Sequence, residues 1–179
     1  LAVRLPPTAI AIAVVNLVAL VTYTTVFKGT PGLGNGLVSY LVGSTFLFGG
    51  AAVGSLDAPV VLAVLAALST FTREVIKDVE DLAGDREKGL RTLPVAIGAR
   101  RSLWIGTGTL AVAVAVSPLP YLLGTFGAVY LAVVAVADAV MAYACYEAFA
   151  DPTAAQAHFK YGTFLAAVAF VIGRAVLLV

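Results

Sequence analysis

Long apolar runs, interrupted at a few points by glycine, proline and charge, mark six segments along this chain, at about 7–27, 37–55, 58–77, 99–117, 121–147 and 157–178. Each is close to the roughly 20 residues an α-helix needs to cross a bilayer core. None shows the period-2 alternation of a barrel strand. Lipid offers no water to backbone N–H and C=O groups, so the runs predict helices whose hydrogen bonds close internally. The expected fold is all-α, a polytopic transmembrane helical bundle forming one domain over residues 1–179. Pro6 and Pro7 suit the first turn of segment one, where no intrahelical N–H bond is lost. The breaker-rich run from Gly29 to Gly36 ends that segment. Asp57-Ala58-Pro59 and Ser117-Pro118-Leu119-Pro120 predict tight turns, and Asp151-Pro152 opens the loop before segment six.

Composition agrees with that pattern: 61% of the side chains are hydrophobic and 12% charged, with a mean hydropathy of +1.01, far from the average soluble domain. A net charge of +1 gives no reason to expect nucleic acid as a partner. The placement of charge is more informative than its sum. The loops after segments one, three and five, with the adjoining helix ends, hold nine of the eleven Lys and Arg residues, and the two opposite turns hold none. By the positive-inside rule that asymmetry puts the long loop around 78–98 in the cytoplasm and the C-terminus outside. The lone Cys145 excludes a disulfide framework and a cysteine metal site. Leu1 to Pro7 shows neither an initiator Met nor a signal-peptide pattern, which leads us to expect a chain that begins within a longer protein. Recurrent small residues, such as Gly43, Gly49, Gly50 and Gly106, fit close helix packing in lipid.

The segment from Arg73 to Gly89 holds six of the ten acidic residues. If segment three stays helical, Glu74, Asp78, Asp81 and Asp85 fall at i, i+4, i+7 and i+11, one stripe. Stacked carboxylates repel each other, and a divalent cation reverses that sign. Mg²⁺ takes oxygen ligands, and one or two carboxylates commonly hold it together with substrate phosphates. Arg73, Lys77, Arg86, Lys88 and Arg91 supply cations for the phosphate oxygens that the metal leaves free. The combination suits a diphosphate held through Mg²⁺ over the segment Asp78 to Asp85. A solvated loop whose acids and bases pair at the surface is the plainer alternative, and a cation transporter or channel is another.

The run Lys77-Asp78-Val79-Glu80-Asp81-Leu82-Ala83-Gly84-Asp85-Arg86, continued by Gly89-Leu90-Arg91-Thr92-Leu93-Pro94-Val95, resembles the second aspartate-rich motif of the UbiA-type intramembrane prenyltransferases. Within them it is most similar to the archaeal branch that makes digeranylgeranylglyceryl phosphate. Phe27 to Asn35 and Gly43 to Gly50 resemble the same branch. The resemblance implies a bundle of nine helices, of which this chain supplies six, as a C-terminal portion without the first aspartate-rich motif and inactive alone. It implies Mg²⁺ as cofactor, with Asp78, Asp81 and Asp85 as the metal-binding and catalytic residues. The reaction implied is transfer of a geranylgeranyl group from geranylgeranyl diphosphate to sn-3-O-geranylgeranylglyceryl 1-phosphate in ether-lipid synthesis, or, in another branch, to an aromatic quinone-precursor or chlorophyll-type acceptor.

By the same resemblance Lys28, with Tyr23 before it, occupies the place of a Tyr-x-x-x-Lys element against the diphosphate, here one residue longer. Lys77 and Arg73 are comparable diphosphate-binding candidates. Asp138, deep in segment five, is an ionisable intramembrane residue and so a candidate on the acceptor side. His158, expected in the loop before segment six, is a second. Nothing in the sequence bears on the oligomeric state.

Overall fold

A computed structural model describes residues 4–175, all helices and connections. The helices are α1 (Pro7–Thr22), α2 (Leu33–Ala52), α3 (Asp57–Glu80), α4 (Leu82–Glu87), α5 (Leu93–Ile97), α6 (Ala99–Val116), α7 (Leu119–Leu122), α8 (Ala128–Glu147) and α9 (Pro152–Ala175). A π-helical turn, Tyr23–Phe27, extends α1. The six long helices correspond to the six apolar segments. Among the described residues, four stretches are long and apolar enough to cross a membrane, Pro7–Phe27, Asp57–Glu80, Ala99–Leu122 and Ala128–Glu147. The protein is an integral membrane protein. Helices α2 and α9 match the spans in length, but α2 carries Asn35, Ser39 and Ser44 among glycines, and α9 carries Gln156, His158 and Lys160.

Several boundaries differ from the sequence expectation. Helix α2 begins at Leu33, inside the run expected to be loop, because Gly34 and Asn35 are buried against neighbours, and tertiary packing outweighs the helix cost of glycine, about 1 kcal/mol each. Helix α9 begins at Pro152 rather than near 157. The Ala154 N–H donates to Asp151 Oδ1 at 3.0 Å, so Asp151 caps the helix and Pro152 takes its first turn. The turn at 117–120 includes the short α7, and α8 starts at Ala128.

Helices α3, α6, α8 and α9 enclose the main core, in which Ile76, Leu103, Leu110, Met141 and Phe159 pack together. A second cluster of Phe126, Tyr130, Val134 and Ala169 closes the opposite end. Helices α2 and α3 touch at backbone distance: a Cβ at Gly43 would lie 2.5 Å from the Ala63 carbonyl oxygen, and one at Gly50 2.4 Å from the Pro59 ring. Apolar surface gives little drive to association within lipid, and such close approach lets backbone dispersion hold helices together. Leu65 and Val75 of α3 are buried while Val60 and Val64 remain exposed, so α3 turns one face to the bundle and the other outward.

Candidate diphosphate site

Helix α3 stops at Glu80, and Asp81 has φ −83° and ψ 2°. The break is slight. Asp81 N–H donates to the Lys77 carbonyl at 2.9 Å, and Asp85 N–H to the Asp81 carbonyl at 2.9 Å, so helical phase passes through into α4. Glu74, Asp78, Asp81 and Asp85 consequently face one cavity of about 120 Å³, as the spacing predicts. Tyr23, Lys28, Thr30, Asn35, Lys77 and Thr92 complete its wall.

The extra residue between Tyr23 and Lys28 is taken up by the π turn. Lys28 N–H donates to the Tyr23 carbonyl, five residues back, at 2.8 Å. A wider turn places residues five apart over one another, as an α turn does for residues four apart. Both side chains therefore reach the same cavity. Threonine hydroxyls accompany the widening: Thr24 and Thr25 donate to the Val21 carbonyl at 2.9 and 2.8 Å, supplying partners where the α ladder is interrupted. Gly34 leaves room opposite, since a Cβ there would lie 3.1 Å from the Phe27 carbonyl and 3.8 Å from the Tyr23 ring.

Each acid has a different setting. Asn35 Nδ2 donates to Asp78 Oδ2 at 2.8 Å. Thr92 Oγ1 donates to Asp85 Oδ2 at 3.0 Å, and Asp85 is buried. Glu74 is flanked by cations, Arg73 at 2.9 Å on Oε1 and Lys77 at 3.9 Å on Oε2. Asp81 is exposed to the cavity mouth. Among the described residues no group of three acidic, histidine or cysteine side chains closes on a point as a ready metal cage. Separated carboxylate oxygens, with no sulfur or imidazole among them, fit a hard ion such as Mg²⁺, which keeps waters and takes phosphate oxygens in place of a full protein shell.

Three expected residues lie elsewhere. Arg73 pairs with Glu74, and its carbonyl faces Gln156 at 3.5 Å; it does not line the cavity. His158 is on α9 rather than in a loop, because the Asp151 cap starts the helix early. Its Nδ1 lies 2.5 Å from Glu147 Oε2, on an outer groove between α8 and α9. Asp138 accepts from Ser117 Oγ at 2.6 Å, and the Tyr130 hydroxyl donates to the Ser117 carbonyl at 2.7 Å. Asp138 instead lines a second, apolar cavity of about 200 Å³, walled by Val42, Phe46, Leu65, Ala66, Val134, Met141 and Phe170 among others. That cavity lies further along α2 and α3 than the first. Val42 is one turn beyond Val38 on α2, and Thr70 is about 12 Å along α3 from Asp78 at 1.5 Å per residue. Asn35 and Thr92 have no place among the sequence candidates, although Thr92 stands within the aspartate-rich run itself.

A profile of the UbiA prenyltransferase family matches residues 1–172. The chain belongs to the UbiA prenyltransferase family. Among curated UbiA relatives, the digeranylgeranylglyceryl phosphate synthase of Natronomonas pharaonis is 62% identical over 175 residues, covering 97% of this chain and 63% of that protein. Its counterpart from Halobacterium salinarum is 57% identical over 176 residues, covering 98% and 64%. A solved structure of a digeranylgeranylglyceryl phosphate synthase in membranes superposes with a TM-score of 0.88 at 34% identity, over 95% of this chain and 62% of that one. This chain thus spans less than two thirds of the length of each of these UbiA proteins.

Proposed function

We propose that this chain forms the diphosphate-binding part of a Mg²⁺-dependent prenyltransferase that moves a geranylgeranyl group from geranylgeranyl diphosphate to sn-3-O-geranylgeranylglyceryl 1-phosphate. The observation that carries the reading is one cavity lined by Asp78, Asp81, Asp85, Lys28 and Lys77, with an apolar one further along the same helices. The names of the relatives support the choice of donor and acceptor. In this reading the Lys28 and Lys77 ammonium groups meet diphosphate oxygens, with Tyr23 beside them, and the prenyl chain runs into the apolar cavity. Asp78, Asp81 and Asp85 would hold Mg²⁺, whose charge would offset that of the leaving diphosphate. As the C1–O bond of the donor breaks, diphosphate keeps the electron pair and C1 becomes an allylic cation. The acceptor's hydroxyl oxygen attacks C1, forming the ether bond and releasing the hydroxyl proton. The walls of Phe46, Leu65, Val134 and Phe170 keep water from capturing the cation. The site faces the cytoplasm, where the basic residues concentrate; a cysteine at Lys88 would then be labelled from that side and one at Ser55 from the other.

The test is equilibrium binding of geranylgeranyl diphosphate to the full-length protein in nanodiscs, followed by product analysis with the glyceryl phosphate acceptor. Binding requires Mg²⁺ and is lost on Asp81→Asn, and product contains the new ether. Binding indifferent to Mg²⁺ and to Asp81→Asn would overturn the reading. Product formed only with an aromatic acceptor would overturn the acceptor assignment.

A further inference from the structure

The carboxylates of the cavity differ in how many oxygens remain free. Glu74 has both oxygens facing cations, Arg73 and Lys77. Asp78 and Asp85 each give one oxygen, Oδ2, to a neutral donor from another part of the fold, Asn35 on α2 and Thr92 at the start of α5. Both donors are buried, at 7% and 9% exposure. A carboxylate only accepts, so the amide nitrogen of Asn35 is the atom that faces Asp78. Thr92 occupies the N-cap position of α5, where a threonine hydroxyl ordinarily bonds a backbone N–H of the first turn, yet it makes no such bond. Its hydroxyl goes to Asp85.

We propose that Asn35 and Thr92 are positioning residues which, by holding Oδ2 of Asp78 and Asp85, present Oδ1 of each as a single ligating oxygen and so set the cavity for Mg²⁺ over larger divalent ions. The inference rests on the Mg²⁺ and diphosphate reading above. Neutral donors suit the task because a lysine or arginine in their place would cancel the charge the metal needs. A carboxylate with one oxygen so held is biased toward ligating through the other. Mg²⁺ accepts that geometry within its octahedron, whereas Ca²⁺ uses carboxylates through either one oxygen or two in a looser shell. Partners in the outer shell of a metal site commonly govern its affinity.

The experiment titrates Mg²⁺ and Ca²⁺ calorimetrically into the full-length protein in nanodiscs, with a non-hydrolysable geranylgeranyl diphosphate analogue in the solution. Asn35→Leu and Thr92→Val each weaken Mg²⁺ binding by about 10–100-fold and Ca²⁺ binding less, so the preference for Mg²⁺ falls, while Thr92→Ser restores both values. A lost fold would lower both affinities together and would not be rescued by the hydroxyl alone. Should Asn35→Leu fail to fold, the Thr92→Val and Thr92→Ser pair decides. Wild-type Mg²⁺ affinity and selectivity in folded Asn35→Leu and Thr92→Val would overturn the inference while leaving the functional reading intact if Asp81→Asn still abolishes binding. A wild-type protein that takes up no Mg²⁺ with the analogue would overturn both.

Discussion

The N–H of Arg91 donates to the carbonyl of Gly29 at 3.0 Å, fastening the loop after α4 to the loop that carries Lys28. Gly29 has φ +80°, and a Cβ there would lie 2.9 Å from Leu90 Cδ2. Conformation therefore favours glycine, and a Cβ would in addition push the end of the Leu90 side chain aside. Left-handed backbone alone costs an L-residue about 1–2 kcal/mol. Gly29→Ala should loosen this fastening and weaken diphosphate binding. The thermal midpoint of the bundle should move little, because neither loop belongs to the core. Calorimetric binding alongside a melting curve separates the two.

The π turn between Tyr23 and Lys28 gives a prediction of opposite signs. Deleting Thr25 converts the five-residue spacing into the four-residue spacing of an α-helix and keeps both side chains over the cavity. Inserting an alanine after Thr25 turns Lys28 away by about 100°. Diphosphate affinity should survive the deletion and fall with the insertion to the level of Lys28→Ala.

Gly43 and Gly49 lie six residues apart on α2 and should respond in opposite directions to alanine. At Gly43 the new methyl meets the Ala63 carbonyl at 2.5 Å and Ala67 Cβ at 3.1 Å; at Gly49 nothing lies within 4 Å. Gly43→Ala should destabilise by about 1–3 kcal/mol through overpacking. Gly49→Ala should stabilise by up to about 1 kcal/mol through helix propensity. Denaturation in mixed micelles measures both.

The Ser117 and Asp138 pair should also be asymmetric. Ser117 Oγ has a second acceptor, the Val114 carbonyl at 3.0 Å, so Asp138→Leu leaves the hydroxyl satisfied. Ser117→Ala instead leaves a carboxyl inside the bundle without its donor, a loss of about 1–3 kcal/mol. The same denaturation assay should rank Ser117→Ala as the more damaging change.

Much of the architecture is legible in the sequence. Apolar runs near 20 residues announce the long helices, and the spacing of four acids gives their common face even across the break at Asp81. The helix ends are less legible. Asp151-Pro152 reads equally as a turn or as a cap followed by a first-turn proline, and only packing decides. Glycines at 34 and 36 read as loop until tertiary burial outweighs their backbone entropy. Asn35 is hidden for another reason: its meaning depends on Asp78, a residue on a different helix, and no local period connects them. Depth in an apolar segment makes Asp138 look functional, and its partner Ser117 sits across a helix boundary that the pattern does not mark. His158 becomes intelligible only once Glu147 stands beside it.

Because the Thr92 hydroxyl serves Asp85, the five-residue α5 begins without a side-chain cap, and Pro94 removes one of its backbone donors. So short a helix has little stability of its own. It should open and close far more often than the long helices around it, exchanging with water at each opening the amide hydrogen of Ala96, which the Thr92 carbonyl otherwise holds at 3.0 Å. A molecule that steadies Asp85 steadies Thr92 as well, so slower exchange at Ala96 would report the cavity's occupancy from a position that touches no ligand.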